Sequence, residues 1–257
     1  MGVISYNKTI APWLLPFLLI LFWQILSLAG VISPDTLPAP SAIVTSAWQL
    51  IESGELFKHI QVSFSRAFTG FLIGGSIGLI LGVANGVSPI AKQHLDTTIQ
   101  MFRNIPHLAL IPLVILWLGI GEEAKVFLVA IGVFFPIYVN TYYGIISVDK
   151  SLIEMGKVYG LSKRKLMLRV IFKGALPSIL VGVRYSLGIM WLTLIVAETV
   201  AADAGIGYMA MNAREFMQID IVVVAILLYA VLGKLADFSA KLLESRLLRW
   251  NPSYNKQ

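Results

Sequence analysis

The chain has 257 residues, of which 57% are hydrophobic and 13% are charged, and its formal net charge is +6. Soluble domains contain about 45–50% apolar residues, so this composition excludes an ordinary soluble domain and predicts a chain that folds in a bilayer. The absence of cysteine excludes disulfide bonds and thiolate catalysis.

Six apolar segments are long enough to cross a membrane, because about 20 residues at roughly 1.5 Å each are needed to cross about 30 Å of hydrocarbon. The third segment is short and contains Pro106 and Pro112, and a short interfacial helix is expected at 42–52. The pattern predicts an all-α, polytopic integral membrane protein with one domain over residues 1–257. The predicted spans are residues 12–31, 65–87, 105–121, 126–146, 179–202 and 221–243.

Lysine and arginine are distributed unequally between the two sides of the predicted bundle. With the N-terminus inside, fifteen fall in cytoplasmic segments, including seven in 150–173 and the pair Lys92 and Arg103 before the third span. Cytoplasmic segments are enriched in these residues, so both termini are expected in the cytoplasm. The bias explains the positive charge without nucleic acid as a partner. The outer segments carry four: Lys58, Arg66, Lys125 and Arg214.

The second predicted span has a glycine at every fourth position. Such a row on one helix face allows a neighbouring helix backbone to approach closely. The same span matches the Gly-x-Ser-x-Gly pattern of serine hydrolases around Ser76. That pattern needs a strand and a sharp turn before the helix, whereas Ser76 is expected in mid-span, so helix packing is favoured over catalysis. The row consists of Gly70, Gly74, Gly78, Gly82 and Gly86.

Cofactor motifs are weak or missing in the sequence. His59, His94 and His107 lie on different predicted segments and lack the spacing of metal ligands. No Gly-x-x-x-x-Gly-Lys-Ser/Thr motif occurs, so this chain is not expected to bind ATP itself. Residues 205–210 match a loose dinucleotide fingerprint, but no strand–helix–strand unit surrounds them, and a tight turn outside the fifth span is expected instead.

Polar and ionisable side chains within the spans are candidates for the translocation path or for gating. A charge at the bilayer centre costs roughly 2.5–3.5 kcal/mol on insertion scales, so such residues are retained for a reason. Arg184 lies about one turn into the fifth span, where its side chain can also reach the interface. Glu198 lies near the outer end of the same span. The candidates are Tyr138, Asn140, Arg184, Trp191, Thr193 and Glu198.

The loop at residues 150–177 begins with a short helix that has an apolar face. Gly160 is expected to end this helix, because glycine readily adopts the left-handed conformation of a helix C-terminus. An exposed apolar face on a cytoplasmic loop has the form of a docking segment. The face contains Leu152, Met155 and Tyr159.

A second helix is expected to follow, capped by Ser162. On it, basic residues recur every four positions, at Lys165, Arg169 and Lys173, and this stripe suits anionic headgroups of membrane lipid. Pro177 is expected to precede the fifth span and to set its direction.

In this loop the sequence resembles the permeases of binding-protein-dependent ABC importers. Glu154-Met155-Gly156, Gly160 and Val170 match the cytoplasmic-loop motif of that family, whereas Met155 stands in place of its alanine and Phe172-Lys173 in place of its Leu-Pro. In the family, the short helix before the glycine inserts into a groove of the ATPase subunit. The resemblance implies a coupling segment made of Glu154, Met155, Gly156, Tyr159, Gly160 and Leu161.

The resemblance extends over nearly the whole chain and points in particular to permeases for aliphatic sulfonates. Sister permeases for taurine, nitrate or bicarbonate share much of the pattern. The segments that carry this likeness are residues 103–121, 190–200, 205–216 and 247–252.

The resemblance also implies an architecture and a set of partners. The fold would be the six-helix, MetI-like fold of a type I importer permease in the bacterial inner membrane, with a core at about residues 60–250. Its partners would be a second copy of the chain, two ABC ATPases and a periplasmic or lipid-anchored binding protein. ATP and Mg²⁺ would bind to the ATPase, so this chain would be neither an enzyme nor the holder of a cofactor. For an anionic solute, a carboxylate in the path is unfavourable, so Glu198 is expected to be structural or gating.

The residues alone leave two other functions open. An intramembrane hydrolase using Ser76 requires a catalytic partner at the same depth. An ion- or proton-driven carrier would use Glu198 and Asn140, and it predicts an inverted repeat, which the sequence does not show.

Overall fold

The protein is almost entirely helical. A computed structural model describes residues 11–200 and 202–251, and within these ranges the chain forms helices and no strand. The all-α class predicted from the sequence is confirmed. The helices are α1 (Ala11–Leu28), α2 (Pro40–Glu52), α3 (Glu55–Val87), α4 (Pro89–Arg103), α5 (His107–Leu118), α6 (Glu122–Ile146), α7 (Lys150–Val158), α8 (Lys163–Val200), α9 (Ile206–Glu215) and α10 (Ile219–Leu247).

Four helices, α3, α6, α8 and α10, are long and apolar enough to cross a membrane. The helices α4 and α5 make one further span if the 83° bend between them is counted as internal. Helix α1 has a shorter apolar stretch, Leu14–Leu28. The described residues therefore support four spans, or five with the bent pair, and the complete set of six stays a prediction.

The third span differs from its prediction. Instead of one segment at 105–121, the chain forms α4 and α5 with a bend after Arg103. Pro106 favours this break, because proline donates no backbone hydrogen bond and disfavours helical geometry at the residue before it. The charges of α4 made it resemble a loop, yet Lys92 lies over the ring of Tyr142, 5.8 Å from its centroid. Arg103 is the last residue of α4 and not part of a loop.

The start of the fifth span was also predicted incorrectly. Helix α8 runs without interruption from Lys163 to Val200, so the amphipathic helix of the loop and the membrane span are one element. Pro177 lies inside this helix and does not precede it. A π-helical turn at Met167–Ile171 precedes the proline. Prolines are tolerated in membrane helices where neighbouring groups and local π adjustments satisfy the freed backbone.

Helices α3 and α6 pack closely along the glycine row. A Cβ atom added at Gly78 would lie 2.6 Å from the carbonyl oxygen of Phe134, and one added at Gly74 would overlap the carbonyl group of Ala130. The two backbones can therefore approach only because these positions lack side chains. The positions facing α6 are Gly70, Gly74, Gly78, Gly82 and Gly86.

Helix α6 also packs against α8 and so occupies the centre of the bundle. A Cβ atom at Gly182 of α8 would lie 2.7 Å from Cβ of Asn140. The side chains of Val129, Val133 and Leu194 are fully buried between these helices. The short helix predicted at 42–52 forms as α2 and packs its buried residues against α9 and α10.

Candidate functional site

The loop after α6 contains a short helix, α7, with a capping group at each end. At its start, the carboxylate of Asp149 accepts a hydrogen bond from the backbone N–H of Ser151, at 2.8 Å. This bond lowers the pKa of Asp149 below its ordinary value. Such an N-cap satisfies a donor that the first helical turn leaves open.

The C-terminus of α7 is closed by Gly160, whose φ of +70° is left-handed. The N–H of Gly160 donates to the carbonyl of Lys157, and the N–H of Leu161 donates to the carbonyl of Gly156, each at 3.0 Å. These are the two bonds of a Schellman motif, which needs a residue that tolerates positive φ. The chain then turns directly into α8, where the Ser162 hydroxyl accepts from the N–H of Lys165.

Gly156 is buried where α7 meets α8. A Cβ atom there would lie 2.6 Å from Cδ1 of Leu166. Leu161, half-buried, packs beside it. Three of the predicted coupling residues, Gly156, Gly160 and Leu161, therefore lie where they fix the position of α7 against α8.

The remaining predicted coupling residues, Glu154, Met155 and Tyr159, are exposed. Val158 and Tyr159 leave 87% and 79% of their surface exposed. These values are high for apolar residues on a helix that is capped at both ends and packed against α8. A groove of about 520 Å³ lies beside this face. Trp250 lines the groove together with Arg169 and Lys173. Sequence reasoning used the segment around Trp250 only for resemblance and did not place it beside α7.

At the opposite end of α8, Glu198 is the centre of a buried polar cluster. Only 1% of its surface is exposed. Its carboxylate pairs with Arg66 Nη1 at 2.8 Å and accepts hydrogen bonds from the Ser63 hydroxyl at 2.8 Å, the Gly207 N–H at 2.9 Å and the Tyr229 hydroxyl at 3.2 Å. The cluster thus ties α8 to α3, α9 and α10.

Arg66 extends the cluster to a further helix. Its guanidinium also pairs with Glu122 at the start of α6 and donates to the carbonyl of Ala204. Sequence reasoning counted Arg66 only as an outer charge and missed it as the partner of Glu198. The available signal was one arginine and one glutamate at the outer ends of two predicted spans.

The segment 205–210 forms a tight turn over Glu198 and then begins α9. Gly205 has φ of +120°, and a Cβ atom at this position would overlap the Glu198 carboxylate. The N–H of Gly205 donates to Nδ1 of His59 at 3.1 Å. The glycines of this segment therefore allow the turn to cover a buried carboxylate, and no nucleotide-binding unit surrounds them in the described residues.

The other predicted path residues lie at different depths of the bundle. Tyr138 is fully buried, and its hydroxyl donates to Asp96 at 2.8 Å and accepts from Asn85 at 2.7 Å. The amide of Asn140 donates to the carbonyl of Pro136 in its own helix. The six candidates do not converge on one cavity.

Three further candidates are placed along α8. Thr193 is buried and its hydroxyl lies 3.0 Å from Nε2 of His107, and Trp191 packs edge-on against Tyr229 near Glu198. Arg184, which precedes Trp191 and Thr193 along α8, pairs with Asp237 of α10 at 2.7 Å. Its charge is therefore matched within the bundle.

The sequence of residues 74–249 matches the family described as the binding-protein-dependent transport system inner membrane component. The chain belongs to this family. Its fold is similar to that of a chain of the inward-facing MetNI methionine ABC transporter, with a TM-score of 0.60 and 20% identity over 79% of this chain and 98% of that chain. An amino acid ABC transporter gives a TM-score of 0.61 and 18% identity over 78% and 97%. The predicted permease fold is confirmed.

Relatives of known sequence match the permease almost from end to end. It is 60% identical to the putative aliphatic sulfonates transport permease protein SsuC of Escherichia coli (strain K12) over 96% of this chain and 94% of that protein. The protein of the same name in Bacillus subtilis (strain 168) is 46% identical over 94% and 87%. The taurine transport system permease protein TauC of Escherichia coli is 32% identical over 96% and 92%.

In this permease, Ser76 lies in the middle of α3 and not at a strand-to-helix turn. The small cavity beside it is lined by apolar residues of α3, α6 and α8, with no histidine or acid in its lining. Nor do the described residues contain a group of three metal-ligating side chains. The described contacts at these sites are helix packing, buried ion pairs and a central helix pair.

Proposed function

We propose that this chain is the permease subunit of an ABC importer that moves aliphatic sulfonates across the bacterial inner membrane. The observation that carries the proposal is 60% identity, along almost the full length of both chains, to a relative named for aliphatic sulfonates. The 32% identity to a taurine permease is lower, although taurine is also a sulfonate. A sister importer for taurine, nitrate or bicarbonate is the alternative.

The active unit would be a pair of these chains with two ABC ATPases and one periplasmic or lipid-anchored binding protein. The exposed apolar face of α7 is the proposed contact with the ATPase, since Val158 and Tyr159 have no partner helix within the described residues to cover them. ATP and Mg²⁺ would bind to the ATPase subunits. Both termini and α7 would then be cytoplasmic, as the distribution of lysine and arginine favours.

Helix α8 supports a route for coupling between the two sides of the membrane. It has 38 residues, which corresponds to about 57 Å at ~1.5 Å per residue. Its cytoplasmic end is joined to α7 by the turn at Gly160, and its far end carries Glu198. Displacement of α7 by ATPase closure would therefore be transmitted as movement of one continuous helix through the bundle.

The function is tested by reconstituting the permease with its ATPase and binding protein in proteoliposomes. We expect ATP-dependent uptake of ethanesulfonate, with competition by other alkanesulfonates and little by nitrate or bicarbonate. Uptake of nitrate or bicarbonate in place of ethanesulfonate would favour the sister importer. Uptake without ATP or partners would instead support an ion-driven carrier.

A variant with Glu154→Lys tests the docking face separately. Glu154 is exposed on α7, so the change should leave the fold intact while reversing a charge at the proposed contact. We expect weaker co-purification with the ATPase. Unchanged co-purification and uptake would place the contact elsewhere.

A further inference from the structure

Arg103 is the last residue of α4, at the bend between α4 and α5, and its side chain is exposed. Four residues further on, His107 contacts Thr193 of α8 at 3.0 Å and lies beside Gly132 of α6. Gly132 is ten residues from the start of α6 and fourteen from its end, which is about 15 Å and about 21 Å along the helix. The bend is therefore near the middle of a membrane-spanning helix.

The side of α4 that carries Arg103 also carries Asp96. The two residues are seven positions apart, which is within about 20° on an α-helix. The Asp96 carboxylate accepts the hydroxyl hydrogen bond of Tyr138 in α6. Arg103 thus lies two turns along α4 from Asp96, on nearly the same side of the helix, with its own side chain exposed.

An arginine within a membrane span normally has a partner. Arg66 pairs with Glu122 and Glu198, and Arg184 pairs with Asp237. By contrast, among residues 11–200 and 202–251 the Arg103 side chain has no hydrogen bond or ion pair, and it is exposed. A cation at mid-span is expensive against lipid and usually faces a bundle interior or a water-filled path.

Lys234 is another cation in the middle of a membrane-spanning helix that has no acidic partner in the described part of the chain. It lies near the middle of α10, where the neighbouring Val231, Leu235 and Phe238 are all exposed. Such a face suits lipid, and a lysine there can extend its ammonium group toward the interface. Lys234 therefore provides a matched control for a mid-span cation outside the proposed path.

We propose that the Arg103 guanidinium binds the anionic head group of the solute as it passes the bend; this inference rests on the proposed function. A guanidinium presents a planar fork of donors that matches the oxygens of an oxyanion such as a sulfonate. No carboxylate competes for it within the described residues, because Asp96 is held by Tyr138. Arg103 would lower the cost of bringing an anion to the centre of the membrane.

The test compares Arg103→Gln, Arg103→Lys and Lys234→Gln in the reconstituted complex with loaded binding protein. We measure ethanesulfonate uptake, ATP hydrolysis and the amount of assembled complex. Loss of a charge-assisted hydrogen bond is expected to reduce uptake by Arg103→Gln roughly tenfold or more. Arg103→Lys should retain part of the uptake, and Lys234→Gln should behave as the unmodified chain.

The ratio of uptake to hydrolysis separates binding from structure. In Arg103→Gln, loaded binding protein should still stimulate ATP hydrolysis, so fewer sulfonate ions would be moved per ATP. Unchanged uptake would overturn the inference, as would parallel loss of uptake and assembly, which would indicate a contact with the second copy. If the unmodified complex imports nitrate but no ethanesulfonate, the proposed substrate is wrong and this inference fails with it.

Discussion

Glu198 is an acidic side chain within a span whose charge is fully compensated by the fold. It receives donors from three other helices and is covered by the turn at Gly205. A buried ion can be stable only when the geometry is good and its remaining lone pairs are satisfied. The interactions of Glu198 therefore favour a structural role at the end of the bundle opposite α7.

Replacing Glu198 by Gln should destabilise the permease by about 3 kcal/mol, because it leaves the buried Arg66 without one of its two acidic partners. The control is Tyr229→Phe, which removes one hydrogen bond to the same carboxylate and should cost about 1 kcal/mol. Thermal unfolding of the detergent-solubilised proteins checks the difference. Equal shifts in melting temperature for the two variants would contradict the ion-pair account.

Gly160 shows how one backbone conformation positions α7, the proposed coupling helix. A Cβ at this position would meet no atom within 4 Å, so any effect of substitution arises from its φ of +70°. Valine disfavours this conformation by roughly 1–2 kcal/mol, whereas asparagine tolerates it. Gly160→Val should therefore reduce ATP-driven uptake several-fold, and Gly160→Asn should retain most of it. Equal uptake by both variants would show that the turn does not control coupling.

At the scale of helices, the contact between α3 and α6 depends on the absence of side chains. Helix α6 contributes backbone carbonyl groups directly opposite glycines of the row in α3. Without such contacts, little would drive two apolar helices together in lipid, since hydrocarbon tails are as apolar as leucine. The glycine row therefore determines which helix is the central neighbour of α3.

Gly78→Ala tests this contact, because the new Cβ would lie 2.6 Å from the Phe134 carbonyl oxygen. We expect a destabilisation of about 1–3 kcal/mol from overpacking. Gly188→Ala in α8 is the control, since nothing lies within 4 Å of its Cβ position and alanine favours a helix. Thermal unfolding in detergent should show a lower melting temperature for Gly78→Ala alone.

At the scale of the whole molecule, charge is separated between two ends of the bundle. Arg66, Glu122 and Glu198 meet at one end, whereas α7 and the basic stripe of α8 lie at the other. The first set is compensated internally and the second is exposed. This asymmetry is what the proposed orientation, with α7 on the cytoplasmic side, predicts.

The orientation can be measured directly, because the chain has no cysteine of its own. A single cysteine at Lys157 should react with a membrane-impermeant maleimide only after the cells are opened. A cysteine at Glu215, after the turn that covers Glu198, should react in intact cells. Both side chains are exposed, so failure to react would not be due to burial. The reverse labelling pattern would contradict cytoplasmic termini.

The sequence by itself determined the helical class, four of the long apolar spans, and the short helix closed by Gly160. These features depend on local properties, such as apolar length and the left-handed preference of glycine, which do not require knowledge of neighbours. It also supplied the resemblance that led to the family.

Only the tertiary structure decided which polar groups are compensated. Arg66 and Glu198 are 132 residues apart, and no local pattern indicates that they pair. The charges of α4 predict a loop from the sequence, whereas in the structure Asp96 accepts a hydrogen bond from the Tyr138 hydroxyl and Lys92 lies over the Tyr142 ring. Likewise, Pro177 predicts a boundary from local rules, whereas packing between α6 and α8 keeps the helix continuous. The energy of a buried charge depends on the partners that folding brings together. The lack of an acidic partner for Arg103 can therefore be recognised only when the ion pairs of the other charged residues are known.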